Sequence, residues 1–325
     1  MQNQRRGLLK LLLGAAAGFG SLSSWAQTWP DKAIKLILGY TTGGASDATA
    51  RIINRPLEQI LKQSVVTDYK PGAGASIGAE FVARAAPDGY TIGLTDTGPL
   101  CIMPHLRKVS YDPLTSFTPL SYICTTGLVL IVNPELPVNN IQELIAMAKK
   151  RPGSLSYASS GVGSVHHLAG ELFKARAGVS IVHIPYRGAG PALTDLVGGQ
   201  IPVMFATIGP ALSMISAGKA RALGVTSLTR SASLPNVPTI SESGFPGFNI
   251  ENWQGIFVPA GTSNNIIQFL ATSINTISND KSYHETLSAQ GAVPSPLPPK
   301  EFAMFVQQET QKYSKLVKES GAKAD

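Results

Sequence analysis

The sequence predicts an α/β protein made of two successive units, each a mainly parallel sheet flanked by helices. Two observations predict it. Short apolar runs alternate with segments of helical periodicity from residue 33 to residue 227, and parallel strands need crossovers of helix length. The connections that lead from strands into helices are also rich in Gly, Ser and Thr, as suits loops that turn tightly and leave their backbone open.

The elements follow in order. "AIKLILGY" (33–40) is an apolar strand, and "SDATARIINRPLEQILKQ" (46–63) puts Ala50, Ile53, Leu57, Ile60 and Leu61 on one helical face. "SVVTDY" (64–69) is a strand, "ASIGAEFVARAA" (75–86) a helix and "GYTIGLTD" (89–96) a strand, with Pro87-Asp88-Gly89 as the turn. The second unit has strands at 127–133, 154–159, 179–186, 201–208 and 220–227, and helices at 140–151, 164–177, 190–199 and 210–218. Asn139 or Asn140 caps the first of these helices, and basic residues close it. A turn-rich stretch (234–248) precedes a strand, "WQGIFVPA", and helices around 263–278, 280–290 and 299–319.

With 325 residues, 43% of them hydrophobic and 14% charged, the chain is long enough for about two cores and is not a disordered type. Residues 1–26 have the layout of a cleavable export signal: Arg5, Arg6 and Lys10, an apolar run from Leu8 to Phe19, and Ser24-Trp25-Ala26 before the cut. The paired arginines fit a twin-arginine signal and an ordinary secretory one alike. Removing the three basic residues lowers the net charge from +7 to +4. The remaining lysines and arginines are scattered, which argues against nucleic acid and fits a mild attraction for anions. Cys101 and Cys124 are the only cysteines. A disulfide between them is slightly favoured over two separate buried thiols for an exported chain.

The candidate chemistry lies in the loops beyond the carboxyl ends of strands, where open α/β sheets bind ligands. They are 40–47, 70–76, 95–100 (with Thr95 and Asp96), 158–167, 185–192 and 206–210. Glycine lets the backbone come close to a ligand, the first N–H groups of a helix favour an anion, and small hydroxyls add donors. No G-K-[ST] phosphate loop occurs, and "GAGASIG" (72–78) misses the dinucleotide fingerprint by one place. Gly74-Ala75-Ser76-Ile77-Gly78 matches the G-x-S-x-G turn of serine hydrolases, with Asp195 and His284 in triad order. A secreted hydrolase using Ser76 is therefore the alternative, although only two strands precede that turn. His166 and His167 diverge by about 100° on a helix, so they suit one pocket residue and one packed residue better than a metal pair. No metal or cofactor is expected.

Several stretches together carry a resemblance: "GYTTGGASDATARI", "YKPGAGASIGAEFVARAAPDGYTIGL", "LSYASSGVGSVHHLAGELFKARAG", "IVHIPYRGAGPALTDLVGGQIPVMF" and "VPTISESGFPGF". They resemble the periplasmic substrate-binding proteins of tripartite tricarboxylate transporters, the Bug family, over essentially the whole mature chain. The resemblance implies a two-domain, type II-like periplasmic binding-protein fold. Domain 1 would be 27–126 plus 253–325 and domain 2 would be 127–252, with hinge crossings near 124–128 and 250–256. It also implies an organic acid in the inter-domain cleft, aromatic or dicarboxylic acids included. One carboxylate would be gripped by Tyr40, Thr41, Thr42, Gly43, Gly44, Ser46 and Asp47 together with Gly72, Ala73, Gly74, Ala75 and Ser76. Ser159, Ser160, Gly163, Ser164, His167, Tyr186, Arg187 and Gly188 would contribute from domain 2, with Asp195 as a cap or brace. The implied protein is a periplasmic monomer that serves integral-membrane permease subunits and breaks no bond. Departures from the family pattern are Gly39 for a frequent proline, Arg187 for a frequent lysine, and Pro202 and Ala206 for common acidic residues.

Overall fold

The computed structural model describes residues 29–324; the expected export signal lies outside the described residues. Strands β1 (Ile34–Leu38) and β2 (Val65–Tyr69) flank helix α1 (Ala45–Leu61), and a 3-10 turn (Ala73–Ala75) with α2 (Ser76–Ala83) leads to β3 (Thr91–Asp96). A π-helical turn (Gly98–Ile102), the one-turn α3 (Met103–Leu106) and the 16-residue β4 (Phe117–Val132) follow. Next come α4 (Ile141–Lys150), β5 (Ser156–Ser159), α5 (Val165–Ala177), β6 (Val182–Pro185) and α6 (Ala189–Val197). They continue into β7 (Val203–Thr207), α7 (Ile208–Ser216) and β8 (Arg221–Val225). The chain finishes with β9 (Glu251–Pro259), α8 (Asn264–Ser278), α9 (Lys281–Ala289), β10 (Ala292–Leu297) and α10 (Pro299–Ser320).

Strand order is β2-β1-β3-β9-β4-β7-β5-β6, with β8 and β10 also attached to β4. Pairings β1–β2, β1–β3, β5–β6 and β5–β7 are parallel, as the βα alternation predicts. Every pairing of β4 and β9 is antiparallel. The sheets are therefore mixed rather than mainly parallel, because two long strands run between the βα series instead of belonging to one. Residues 117–127 of β4 pair with β9, and residues 128–132 pair with β7. One strand thus contributes to the sheets of both lobes. Ile250 N–H donates to the Thr226 carbonyl of the second lobe, while Glu251 already pairs with Gly127.

Local sequence explains the elements. Ile34, Leu36 and Leu38 of β1 are fully buried, and Ile37 almost so, which fits a strand covered on both faces. Helix α4 starts at Asn140, whose side chain accepts from Glu143 N–H at 2.9 Å, while the Glu143 carboxylate accepts from Asn139 N–H at 2.7 Å. This is a reciprocal cap. Helix α5 is capped by Ser164 and ends at Gly178, whose φ of 61° ends it without the cost a Cβ would add. Helix α10 packs on both β4 and α5. Arg176 of α5 meets Glu319 at 2.8 Å, and Tyr313 OH donates to the Glu251 carbonyl at 2.6 Å. One apolar cluster runs from Ile37 and Leu128 through Phe173 and Phe302 to Val317. From Lys32 onward the chain forms one compact unit. Among the described residues no helix is long and apolar enough to cross a membrane.

The expected disulfide is not formed. Cys101 and Cys124 are both free, buried thiols. Cys101 sits in the π-helical turn with Sγ 3.5 Å from Thr310 Oγ1, and Cys124 lies in β4 beside Thr49. Each thiol is packed among its own neighbours.

Candidate functional site

The loop after β1 and the turn after β2 fit together through missing side chains. Gly72, Ala73, Gly74 and Ala75 have φ of 131°, 48°, 58° and 72°, so four consecutive residues lie at positive φ. For the two alanines that conformation costs on the order of 1–2 kcal/mol each, a strain that persists only where the surroundings hold it. They do hold it. A Cβ built on Gly74 would fall 2.3 Å from the Val162 carbonyl oxygen in the second lobe.

Other loops close the same seam. Thr41 N–H donates to the Arg187 carbonyl at 3.4 Å. A Cβ on Gly188 would meet Thr41 Oγ1 at 2.4 Å, and one on Gly190 would meet the Thr42 carbonyl at 2.5 Å. The two lobes are in contact along this line, which is a closed arrangement.

Behind the seam lies a cavity of about 20 Å³ lined from both lobes by Tyr40, Ser46, Asp96, Ser160, His166 and Asn252, among others. That is room for about one water, so a solute must enter by parting the lobes. Three helix starts reach its wall: Gly44 and Ala45 of α1, Ala189 of α6, and Thr207, the residue before α7. Their first amides have no carbonyl partner within the helix and carry partial positive charge. None of the described lining residues is lysine or arginine. A groove of about 340 Å³ adjoins the cavity, sharing Gly44, Ala45 and Thr207 with it.

Asp96 is the carboxyl group in the wall, 3% exposed. Its Oδ1 accepts from Gly98 N–H at 3.1 Å and from Tyr40 OH at 3.3 Å. Burial pushes it up to about 7, against the lowering effect of Gly98 N–H, Tyr40 and Asn252. His166 shares hydrogen bonds with Ser160 Oγ (2.7 Å) and Thr207 Oγ1 (3.0 Å), and burial holds it down to about 4, so the ring is neutral at pH 7.

Of the residues expected to hold ligand, Tyr40, Gly44, Ser46, Asp96 and Ser160 line the cavity. Asp47 instead braces the first loop. It accepts from Gly43 N–H (2.9 Å), Tyr69 OH (2.6 Å) and Arg51. Burial works to raise it, but these bonds together keep it below the usual carboxylate range. Ser159 bonds His183 Nε2 at 2.6 Å, Ser164 caps α5, and Tyr186 OH donates to Asp195 at 2.7 Å. Thr41, Gly74, Gly163 and Gly188 form the seam. Gly72, Ala73, Ala75 and Ser76 shape the second loop away from the cavity wall, and Ala75 packs with Thr95 around a separate small void. Thr42, Gly43 and Arg187 are exposed, and the main-chain carbonyl of Arg187 accepts from Thr41 N–H.

His167 does not line the cavity. It stacks on His183 with ring centroids 4.2 Å apart, and its Nδ1 accepts from Gly163 N–H. His166 lines the cavity in its place, since the helix phase set by the Ser164 cap turns that ring toward Thr207. Ala45, Ala189, Thr207 and Asn252 also line the cavity. The loop 206–210 carried a signal for Thr207, while Asn252 had none, because it stands at the start of a strand. The hydrolase triad is absent. Asp195 is bound to Tyr186, His284 Nε2 lies 2.6 Å from the Ser278 carbonyl, and Ser76 Oγ is buried.

A two-lobed α/β body that closes on a small polar cavity defines the class of bilobal solute-binding proteins. The particular family follows from comparison. The family described as "Tripartite tricarboxylate transporter family receptor" matches residues 49–322, and the chain belongs to it. The protein BugT of Bordetella pertussis is 37% identical over 311 residues, 95% of each chain. The solved structure of the periplasmic binding protein BugD superposes with a TM-score of 0.87 at 33% identity, covering 91% of this chain and 99% of that one. The R. palustris protein Rpa4515 with adipate gives 0.87 at 34% identity, with the same coverage of 91% and 99%.

Proposed function

We propose that this receptor works in the periplasm and captures an organic acid between its lobes for the permease subunits of a tripartite transporter. The observation that carries the carboxylate reading is the convergence of three helix starts on one buried cavity where both lobes meet, with neither lysine nor arginine among its described lining residues. Main-chain amides and small hydroxyls suit a carboxylate there without the desolvation cost of a buried cation. The adipate of the R. palustris neighbour supports the same class of ligand.

The lobes divide near residue 127 on β4 and near residue 251 at the start of β9, where pairing passes from one sheet to the other. A ligand touching both lobes favours the closed state by its differential affinity for it. The step is capture and closure by a single copy of the chain, with no bond made or broken.

A thermal-shift screen of the mature protein against mono-, di-, tri-carboxylic and aromatic acids tests the reading. A ligand at about 100 times its Kd adds ~2.7 kcal/mol of stability. Silence across all four groups would refute it.

A further inference from the structure

The lobes touch at a second place that shares no residue with the seam. There the start of α7 meets the turn between α9 and β10. Strand β7, which leads into α7, pairs with residues 128–132 of β4, whereas β10 pairs with residues 122–126, so the contact spans the division between the lobes. A Cβ built on Gly209 would fall 2.3 Å from the Gln290 carbonyl oxygen and 3.3 Å from its carbon. That approach is backbone to backbone, so no change of rotamer relieves it. From the facing side, a Cβ on Gly291 would lie 2.8 Å from Ile208 Cγ2 and 3.6 Å from Gly209 N.

This contact stands next to the hinge and next to the cavity. Gly127, where β4 passes between the lobes, packs against it, and a Cβ there would come 3.1 Å from Ile208 Cδ1. Close to a hinge, a small displacement becomes a larger one at the mouth. Two grooves of about 340 Å³ adjoin the contact, one lined by Gly209 and Gln290, the other by Ile208 and Gly291. Thr207, the residue before Ile208, lines the cavity and shares a hydrogen bond with His166 at 3.0 Å. The helix start that faces the cavity is thus continuous with the backbone that meets the other lobe.

We propose that Gly209 is a positioning residue for capture: its missing side chain lets the start of α7 seat on Gln290, and that seating sets how far the lobes shut over the cavity. The proposal rests on the reading of two closing lobes and on no particular solute. A side chain at position 209 acts as a wedge. Alanine suits a helix better than glycine, so Gly209→Ala favours α7 itself and penalises the shut arrangement by overpacking.

A disulfide across the seam tests this with no solute present. Gly44 and Ala189 face each other from the two lobes, and a Cβ on Gly44 would lie 3.9 Å from that of Ala189, within the span of a disulfide. The Gly44→Cys/Ala189→Cys chain is equilibrated in a glutathione redox buffer, and the ratio of bridged to reduced protein reports access to the shut form. Cys101 and Cys124 are buried and stay out of the exchange. Adding Gly209→Ala should lower that ratio at least tenfold, while the melting temperature of the reduced chain does not fall. Gly291→Asn should lower the ratio as well: asparagine tolerates the left-handed backbone at φ 71° and wedges the contact from the first lobe. An unchanged ratio in either variant overturns the proposal. So does a fall in the melting temperature of Gly209→Ala, or loss of the fold in either variant, since the contact would then hold the fold and not set closure. If the parent pair forms no bridge at any redox poise, the reading of two closing lobes falls with it.

Discussion

Gly39 and Ala75 occupy one space: a Cβ built on Gly39 falls 2.4 Å from Ala75 Cβ and 2.8 Å from its Cα and carbonyl oxygen. Ala75 has left-handed backbone at φ 72°, and Gly78 packs on Gly39 from the next turn. Glycine fits position 39 because the two loops approach through their backbones. Gly39→Ala should cost about 1–3 kcal/mol, as overpacking does, and should shift the 72–76 loop. Urea denaturation checks this, and unchanged stability would contradict the packing. Ala75→Gly in the same chain should recover only part of the loss, since two of the three clashing atoms are backbone.

Acid should weaken the fold through its buried histidines. Folded His166 titrates near 4 against 6.5 for a free ring. Between those values the unfolded chain binds more protons, so stability present above pH 6.5 is lost as pH falls. His167 and His183 are also depressed, to about 4 and about 3, first by burial. His166 by itself accounts for about 2 kcal/mol between pH 7 and pH 5. Asp96, raised to about 7 by burial, takes up a proton over the same range and offsets one such contribution. The decisive comparison is therefore between denaturation curves of two chains: the loss of stability from pH 7 to pH 5 should be smaller in His166→Asn than in the wild type. An equal loss in the two would contradict the neutral buried ring.

Asp47 ties three elements together, so its loss should be felt beyond its own turn. Asp47→Ala leaves Gly43 N–H and Tyr69 OH without their acceptor, at a cost of about 1–3 kcal/mol. A lowered Tm with weaker ligand binding is expected. A variant with unchanged Tm would mean that the first loop is held by other contacts.

The thiols should be reduced and silent. Burial raises both, Cys124 to about 12. A thiol reagent should label neither in the native chain and both after denaturation. Recovery of no thiols from the denatured, unreduced protein would show the bridge that the structure lacks.

Much of this was legible in the sequence because βα units announce themselves by period. The strands at 33–40, 64–69 and 89–96 and the helices between them lie within a few residues of their predicted bounds. The first half of β4 was not legible. "FTPLSYICTT" contains Pro119 and a run of hydroxyls, and its strand character comes from pairing with β9, more than 100 residues away. Likewise β10, "AVPSPL", carries two prolines and is set by its place against β4. The antiparallel character of the sheets arises from these same long-range pairings. In the site, glycine and hydroxyl content marked the right loops but could not assign their inner faces. Whether His166 or His167 faces the cavity depends on helix phase, and Asn252 joins the wall only because β9 lies beside β3.

The central claim is that main-chain amides at converging helix starts hold a carboxylate where the lobes meet. The most direct test is a crystal structure of the mature protein with the strongest acid from the thermal-shift screen. The account predicts a closed form with carboxylate oxygens within hydrogen-bond reach of the amides around Gly44–Ser46 or at the starts of α6 and α7. A carboxylate held instead by surface lysine or arginine side chains, with the cavity behind the seam left to solvent, would contradict it.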